Sequence, residues 1–162
     1  MLTATLPRRR LPLRREIAGA GLLEALIAIV IFSVSLLGLL GLQSKALANS
    51  RGAQYRAEAE VLANEAIGIM WSDRANLTQY AHNGTDGTST CAPAGTASTN
   101  ANAVAWLNQF TTSGQPRYLP GATSAAQQVK IGADRTVRVT LCWRAPEDAG
   151  WRTYTLVARI PS

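Results

Sequence analysis

The chain has 162 residues, 47% of them hydrophobic, with a formal charge of +6, one histidine and two cysteines. That length holds one modest domain beyond an N-terminal segment. Five arginines and one glutamate put +4 on residues 1–19 and leave +2 on residues 20–162, so the basicity serves membrane topology and nucleic-acid binding is not expected.

The arginines (Arg8, Arg9, Arg10, Arg14 and Arg15) stand just before an apolar run over residues 18–42. Glu24 is the only charge between Glu16 and Lys45. A helix of that length spans roughly 37 Å, enough for a hydrocarbon core of about 30 Å. No proline interrupts the chain between Pro12 and Pro93, so one long helix is expected, weakest near Gly38 and Gly41. The positive-inside rule keeps the N-terminus in the cytoplasm and exports everything after Leu42.

Three readings of this segment compete. A cleaved signal peptide would use the small-x-small pattern Ala46-Leu47-Ala48 and release a chain starting at Asn49, but its apolar region is then about twice the usual 7–15 residues. An uncleaved signal anchor explains the length and the arginines, yet gives Glu24 no purpose. A carboxylate near the start of a membrane-length run costs several kcal/mol if unpaired, so it calls for a partner.

The third reading is a resemblance. Gly19-Ala20-Gly21-Leu22-Leu23-Glu24, behind a basic leader and ahead of about twenty apolar residues, resembles a type IV prepilin. In that family, prepilin peptidase, a membrane aspartic protease, removes the leader on the cytoplasmic side and usually methylates the new N-terminus. The resemblance implies cleavage between Gly19 and Ala20, N-methylation of Ala20, and Glu24 as the fifth mature residue. Glu24 would then attract the α-amino group of a neighbouring subunit and set axial register, since opposite charges draw together strongly in low dielectric. Ala20 and Gly21 depart from the family's usual Phe and Thr or Ser. Cleavage after Gly21 would leave the carboxylate third, whereas Gly19 restores the spacing.

From Gln43 onward, Ala48, Gly52, Tyr55, Ala59, Leu62, Ala66 and Ile69 recur at spacings of four and three, tracing one helix face to about residues 70–71. Arg51, Arg56, Glu58, Glu60 and Glu65 lie largely off that stripe. Residues 35–43, Tyr55-Arg56-Ala57-Glu58-Ala59, Leu62-Ala63-Asn64-Glu65 and Arg74-Ala75-Asn76 look like the PilV family of type IV pilus minor pilins. Past residue 77 the likeness is carried by Trp106, Leu119-Pro120-Gly121 and Cys142-Trp143.

Residues 81–103 are rich in Asn, Gly, Thr, Ser and Ala and read as loop. Val104, Leu107 and Phe110 suit a short helix, with Trp106 beside them. Residues 113–121, with Pro116 and Pro120, form a turn-rich connector. Val137, Val139, Leu141 and Trp143 alternate with Arg138, Thr140, Cys142 and Arg144 as a half-buried strand. Residues 145–150 turn the chain, and Tyr154, Leu156, Ala158 and Ile160 return it. Val129 and Ile131 suggest a third strand. The expected class is α+β, a long N-terminal helix (membrane-spanning in its first half) on a small antiparallel sheet, which is also the pilin fold the resemblance implies. The parts are a removable leader (1–19), the helix (20–42 apolar, 43–72 amphipathic) and a C-terminal domain (73–162).

Two cysteines in an exported domain favour a Cys91–Cys142 disulfide, worth about 4 kcal/mol on the chain-entropy account; the alternative is two buried thiols. Cys142 falls on the face opposite Val139 and Leu141, so a bridge requires the loop to cover that outer face. His82 sits among Gly, Thr and Asn without a partner pattern and reads as a surface residue. Glu147 and Asp148 occupy a turn and read as solvated. No catalytic constellation, cofactor motif or metal-ligand spacing is present, so no enzyme and no cofactor are expected. Trp71, Trp106 and Trp143 read as core, and Trp151 as the exposed candidate for a partner contact.

The resemblance implies a structural minor pilin that primes pilus assembly and supports adhesion and twitching motility. Its partners would be prepilin peptidase, other minor pilins, the major pilin and the inner-membrane assembly machinery. It would sit first in the inner membrane with a periplasmic domain, then in the fibre. A minor pseudopilin of a type II secretion system and an anchored binding domain that never polymerises are the alternatives.

Overall fold

The computed structural model describes residues 18–161. The leader arginines lie outside them. The class is α+β, with one long apolar N-terminal helix and small antiparallel sheets. Helix α1 runs Ala18–Ser72, followed by a 3₁₀ segment at Arg74–Tyr80 and strands β1 (Thr85–Ser89) and β2 (Ala92–Ala94). Helix α2 (Ala101–Thr111), a 3₁₀ turn (Ser124–Ala126) and strands β3 (Gln128–Ile131), β4 (Thr136–Trp143) and β5 (Arg152–Arg159) complete it. The chain divides into two compact units, Met1–Asn49 and Ser50–Ser162.

In the first unit α1 stands alone, and every described side chain from residue 21 to 49 is exposed. The helix persists because Leu, Ala and Ile are good helix formers and no proline breaks it.

In the second unit the same helix buries one face. Ala59, Leu62, Ala63, Ala66 and Met70 are covered, at the i, i+3, i+4, i+7 spacing of a single stripe. Ala48 and Gly52, the expected start of that stripe, are exposed. The helix ends where the Asp73 carboxylate accepts from Asn76 Nδ2 and from the Tyr80 hydroxyl, both at 2.8 Å, and pulls the chain into the 3₁₀ segment.

Helix α2 reaches α1 through its large side chains. Trp106 Nε1 donates to the Leu62 carbonyl at 2.9 Å and packs edge-on against Phe110, with ring centroids 5.2 Å apart. Asn100 Oδ1 caps α2 by accepting from the backbone N–H of Asn102 and Ala103. The buried arc of α2 is Ala103, Trp106, Leu107 and Phe110, and Val104 lies one position beyond it, exposed.

Strands β3, β4 and β5 form an antiparallel meander, with Val129 opposite Val139, Val139 opposite Leu156 and Leu141 opposite Tyr154. Val137, Val139, Leu141 and Trp143 point into the core. The expected alternation fails at Thr140 and Cys142, which are also buried. Cys91 and Cys142 form a disulfide, their Cα atoms 5.7 Å apart, and with Ala126 they make a second small apolar cluster. The expected loop is therefore partly ordered: its β1–β2 hairpin carries Cys91 to the outer face of β4.

Two further expectations are corrected here. Trp71 is 44% exposed and belongs to no core. His82 is buried, because its ring stitches the loop down: Nδ1 accepts from the Ser98 N–H at 3.0 Å and Nε2 donates to the Ser124 carbonyl at 2.9 Å. That pairing calls for the neutral ring with its proton on Nε2.

Candidate functional site

The described residues offer one feature that a lone folded chain does not explain. Residues 22–42 display Leu22, Ile29, Phe32, Leu37, Leu42 and their apolar neighbours at 44% exposure or more. An apolar surface of that extent marks a membrane or a protein partner. α1 is the one described helix long and apolar enough to cross a bilayer, so it fits an anchor or a signal sequence.

The polar groups inside this run separate into two kinds. Ser33 and Ser35 turn their hydroxyls back onto the Ile29 and Ile31 carbonyls, at 2.7 and 2.8 Å. Bonded this way, they enter an apolar environment without an unpaired donor. Glu24 is exposed, and among the described residues no basic side chain lies within ion-pair distance of it. A helix cannot satisfy a carboxylate from its own carbonyls, so in an apolar environment Glu24 calls for a cation or donor beyond the described residues. Gly19 and Ala20 occupy the first turn of α1.

The second unit holds a cluster the sequence did not announce. Arg117, in the connector after α2, donates from Nε to Glu58 and from Nη1 to Glu65, two α1 carboxylates seven residues apart. Arg117 Nη1 also reaches Gln109 Oε1 at 3.1 Å, and Gln109 Nε2 donates to Glu65 at 3.1 Å. Burial works against the guanidinium's charge, but the Glu58 and Glu65 hydrogen bonds outweigh it and raise its pKa. The available signal was the i, i+7 glutamate pair beside the connector's only cation. The cluster pins residues 117–121 against α1 and α2, which is a packing role.

The β4–β5 turn is likewise ordered from within. Asp148, expected to be solvated, is mostly covered. Its Oδ1 accepts from Arg152 Nε and Nη2 at 2.9 and 2.7 Å, and its Oδ2 accepts the Ala145 N–H at 3.2 Å. The Arg152 hydrogen bonds lead in holding the Asp148 pKa below its ordinary value, with the Ala145 N–H adding to them. Trp151 is 42% exposed, as expected, with the Arg144 guanidinium 5.7 Å from its ring centre.

Among the described residues no three His, Cys, Asp or Glu side chains stand together as a metal site. No protein-family model, curated protein or solved structure matches the chain.

Proposed function

We propose that this chain is a non-enzymatic minor pilin of a type IV pilus, akin to the PilV family, which enters the fibre through the apolar half of α1. The observation that carries this reading is Glu24, a carboxylate with no partner among the described residues, in an apolar run whose other polar side chains, Ser33 and Ser35, bond the helix's own carbonyls. An anchor needs only apolar length, whereas a polymerising helix also needs a register mark. An α-amino group freed by cleavage between Gly19 and Ala20 supplies the complementary charge on a neighbouring copy or another pilin. The α+β layout, with a long apolar helix preceding a small sheet domain, supports the same reading. In this role prepilin peptidase removes the leader and methylates Ala20, and the second unit meets other minor pilins, the major pilin and the assembly machinery.

Mass spectrometry of the mature N-terminus tests it. A chain starting at Ala20, carrying one methyl group, is expected. A start at Asn49 identifies a signal peptide instead, and an intact leader identifies an anchor. If the start is Ala20, deletion separates the two machines: loss of surface pili supports the pilus, and loss of protein export with pili intact identifies a pseudopilin.

A further inference from the structure

A cleft of about 680 Å³ opens on the second unit between the connector and the β4–β5 turn. Its walls include Trp151, Tyr118, Pro120, Pro146 and Arg144. The floor is fixed in place. The Arg144 N–H donates to the Pro120 carbonyl at 2.8 Å, and Gly121 holds a left-handed φ of +65°. A Cβ on Gly121 would lie 2.6 Å from the Arg144 carbonyl oxygen, so the two strands of chain touch only because that position is glycine.

The cleft has hydrogen-bond donors to spare, and the one carboxylate on its wall, Asp148, is already engaged. Arg144 has no carboxylate partner among the described residues, since Asp148 is taken by Arg152 and the Ala145 N–H. The Tyr118 hydroxyl accepts the Gly121 N–H at 3.3 Å, which leaves its own proton to donate. An acceptor-rich, anionic ligand fits that inventory, and a planar carboxylate matches the guanidinium fork best. Along the Pro120–Gly121 and 144–148 walls, by contrast, the main-chain donors are spent. Those of Gly121, Arg144, Ala145 and Asp148 are all bonded within the protein, and Pro120 and Pro146 have none. An extended peptide therefore finds no free donor along those walls. A pyranose ring does not need one: its C–H face carries weak positive charge and lies on the negative face of an exposed indole.

From this we infer that the cleft binds a carboxylated saccharide, its sugar face on Trp151 and its carboxylate on Arg144, with Tyr118 donating to a ring or hydroxyl oxygen. The site lies wholly in the second unit and does not depend on whether the chain polymerises.

Calorimetric titration of the full chain, in a detergent without a sugar headgroup, tests it. The probes are an oligogalacturonide and a sialylated trisaccharide, with a neutral oligosaccharide and polyglutamate as comparators. Saturable binding of at least one acidic sugar is expected, and which one responds tells a uronate source from a sialylated one. Arg144→Gln and Trp151→Ala should each weaken it about tenfold or more, while Trp151→Phe, which keeps an aromatic face, retains most of it. No saturable binding of either acidic sugar overturns the inference. So does polyglutamate binding of equal strength, or wild-type affinity in a folded Arg144→Gln protein.

Discussion

Leu22 and Leu62 lie on the same helix, yet the first is 76% exposed and the second fully buried. Helix propensity does not distinguish them. What differs is where the covering surface comes from. Around Leu62 the chain supplies its own, in α2 and the meander; around Leu22 the described residues supply none. The same contrast holds for carboxylates. Glu58 and Glu65 find Arg117 within the chain, whereas Glu24 has no cation within reach among the described residues. One half of α1 is thus complete as folded, and the other is left uncovered among the described residues.

Breaking the uncovered half should have the largest effect and leave stability untouched. Glu24→Ala is expected to lower the amount of subunit recovered in sheared fibres at least about tenfold, while leader removal and thermal unfolding of the second unit stay as in wild type. Wild-type recovery would remove the basis for the assembly role.

The completed half should respond in the opposite way, losing stability first. Replacing both Cys91 and Cys142 by alanine removes the bridge that holds the hairpin against β4, with an expected loss of about 4 kcal/mol in urea unfolding of the detergent-solubilised chain. Gly121→Ala should cost about 2 kcal/mol, because the left-handed φ and the close approach to Arg144 each resist a side chain. A melting temperature unchanged in that variant would show that the connector relaxes freely.

Smallest is a pH effect at the β4–β5 turn. The folded pKa of Asp148 lies below its ordinary 3.8, so its contribution is present above that value and fades as the pH falls through the folded pKa. Melting temperatures between pH 7 and pH 2 should therefore fall less steeply for Asp148→Asn than for wild type. Equal slopes would mean the carboxylate gains nothing from Arg152.

Much of the fold was legible because it rests on periodicity. The unbroken apolar run, the i, i+3, i+4 stripe of α1 and the alternating Val137, Val139 and Leu141 each have one plausible geometry. His82, Asp148 and Arg117 were not legible, since each is fixed by a partner distant in sequence or by a backbone atom, and composition is silent on both. His82 in particular reads as solvent-facing among Gly, Thr and Asn until Ser98 and Ser124 close over it. At the candidate site the residue itself, Glu24, was visible as a lone charge. The self-bonding of Ser33 and Ser35, which sharpens its isolation, appeared only with the backbone geometry.

Beside the disulfide, a side chain performs work normally left to the main chain. The Cys142 N–H donates to Gln127 Oε1 at 2.9 Å, and Gln127 Nε2 donates to the carbonyls of Cys142 and Thr123 at 3.0 and 2.8 Å. Gln127 is fully enclosed, so it stands in as one more rung of the ladder before β3 begins. Slow hydrolysis of that amide to an acid would exchange a single nitrogen for oxygen and set an anion against two carbonyls with no water to relieve it. The lifetime of the fold is thereby tied to how well one amide is kept dry.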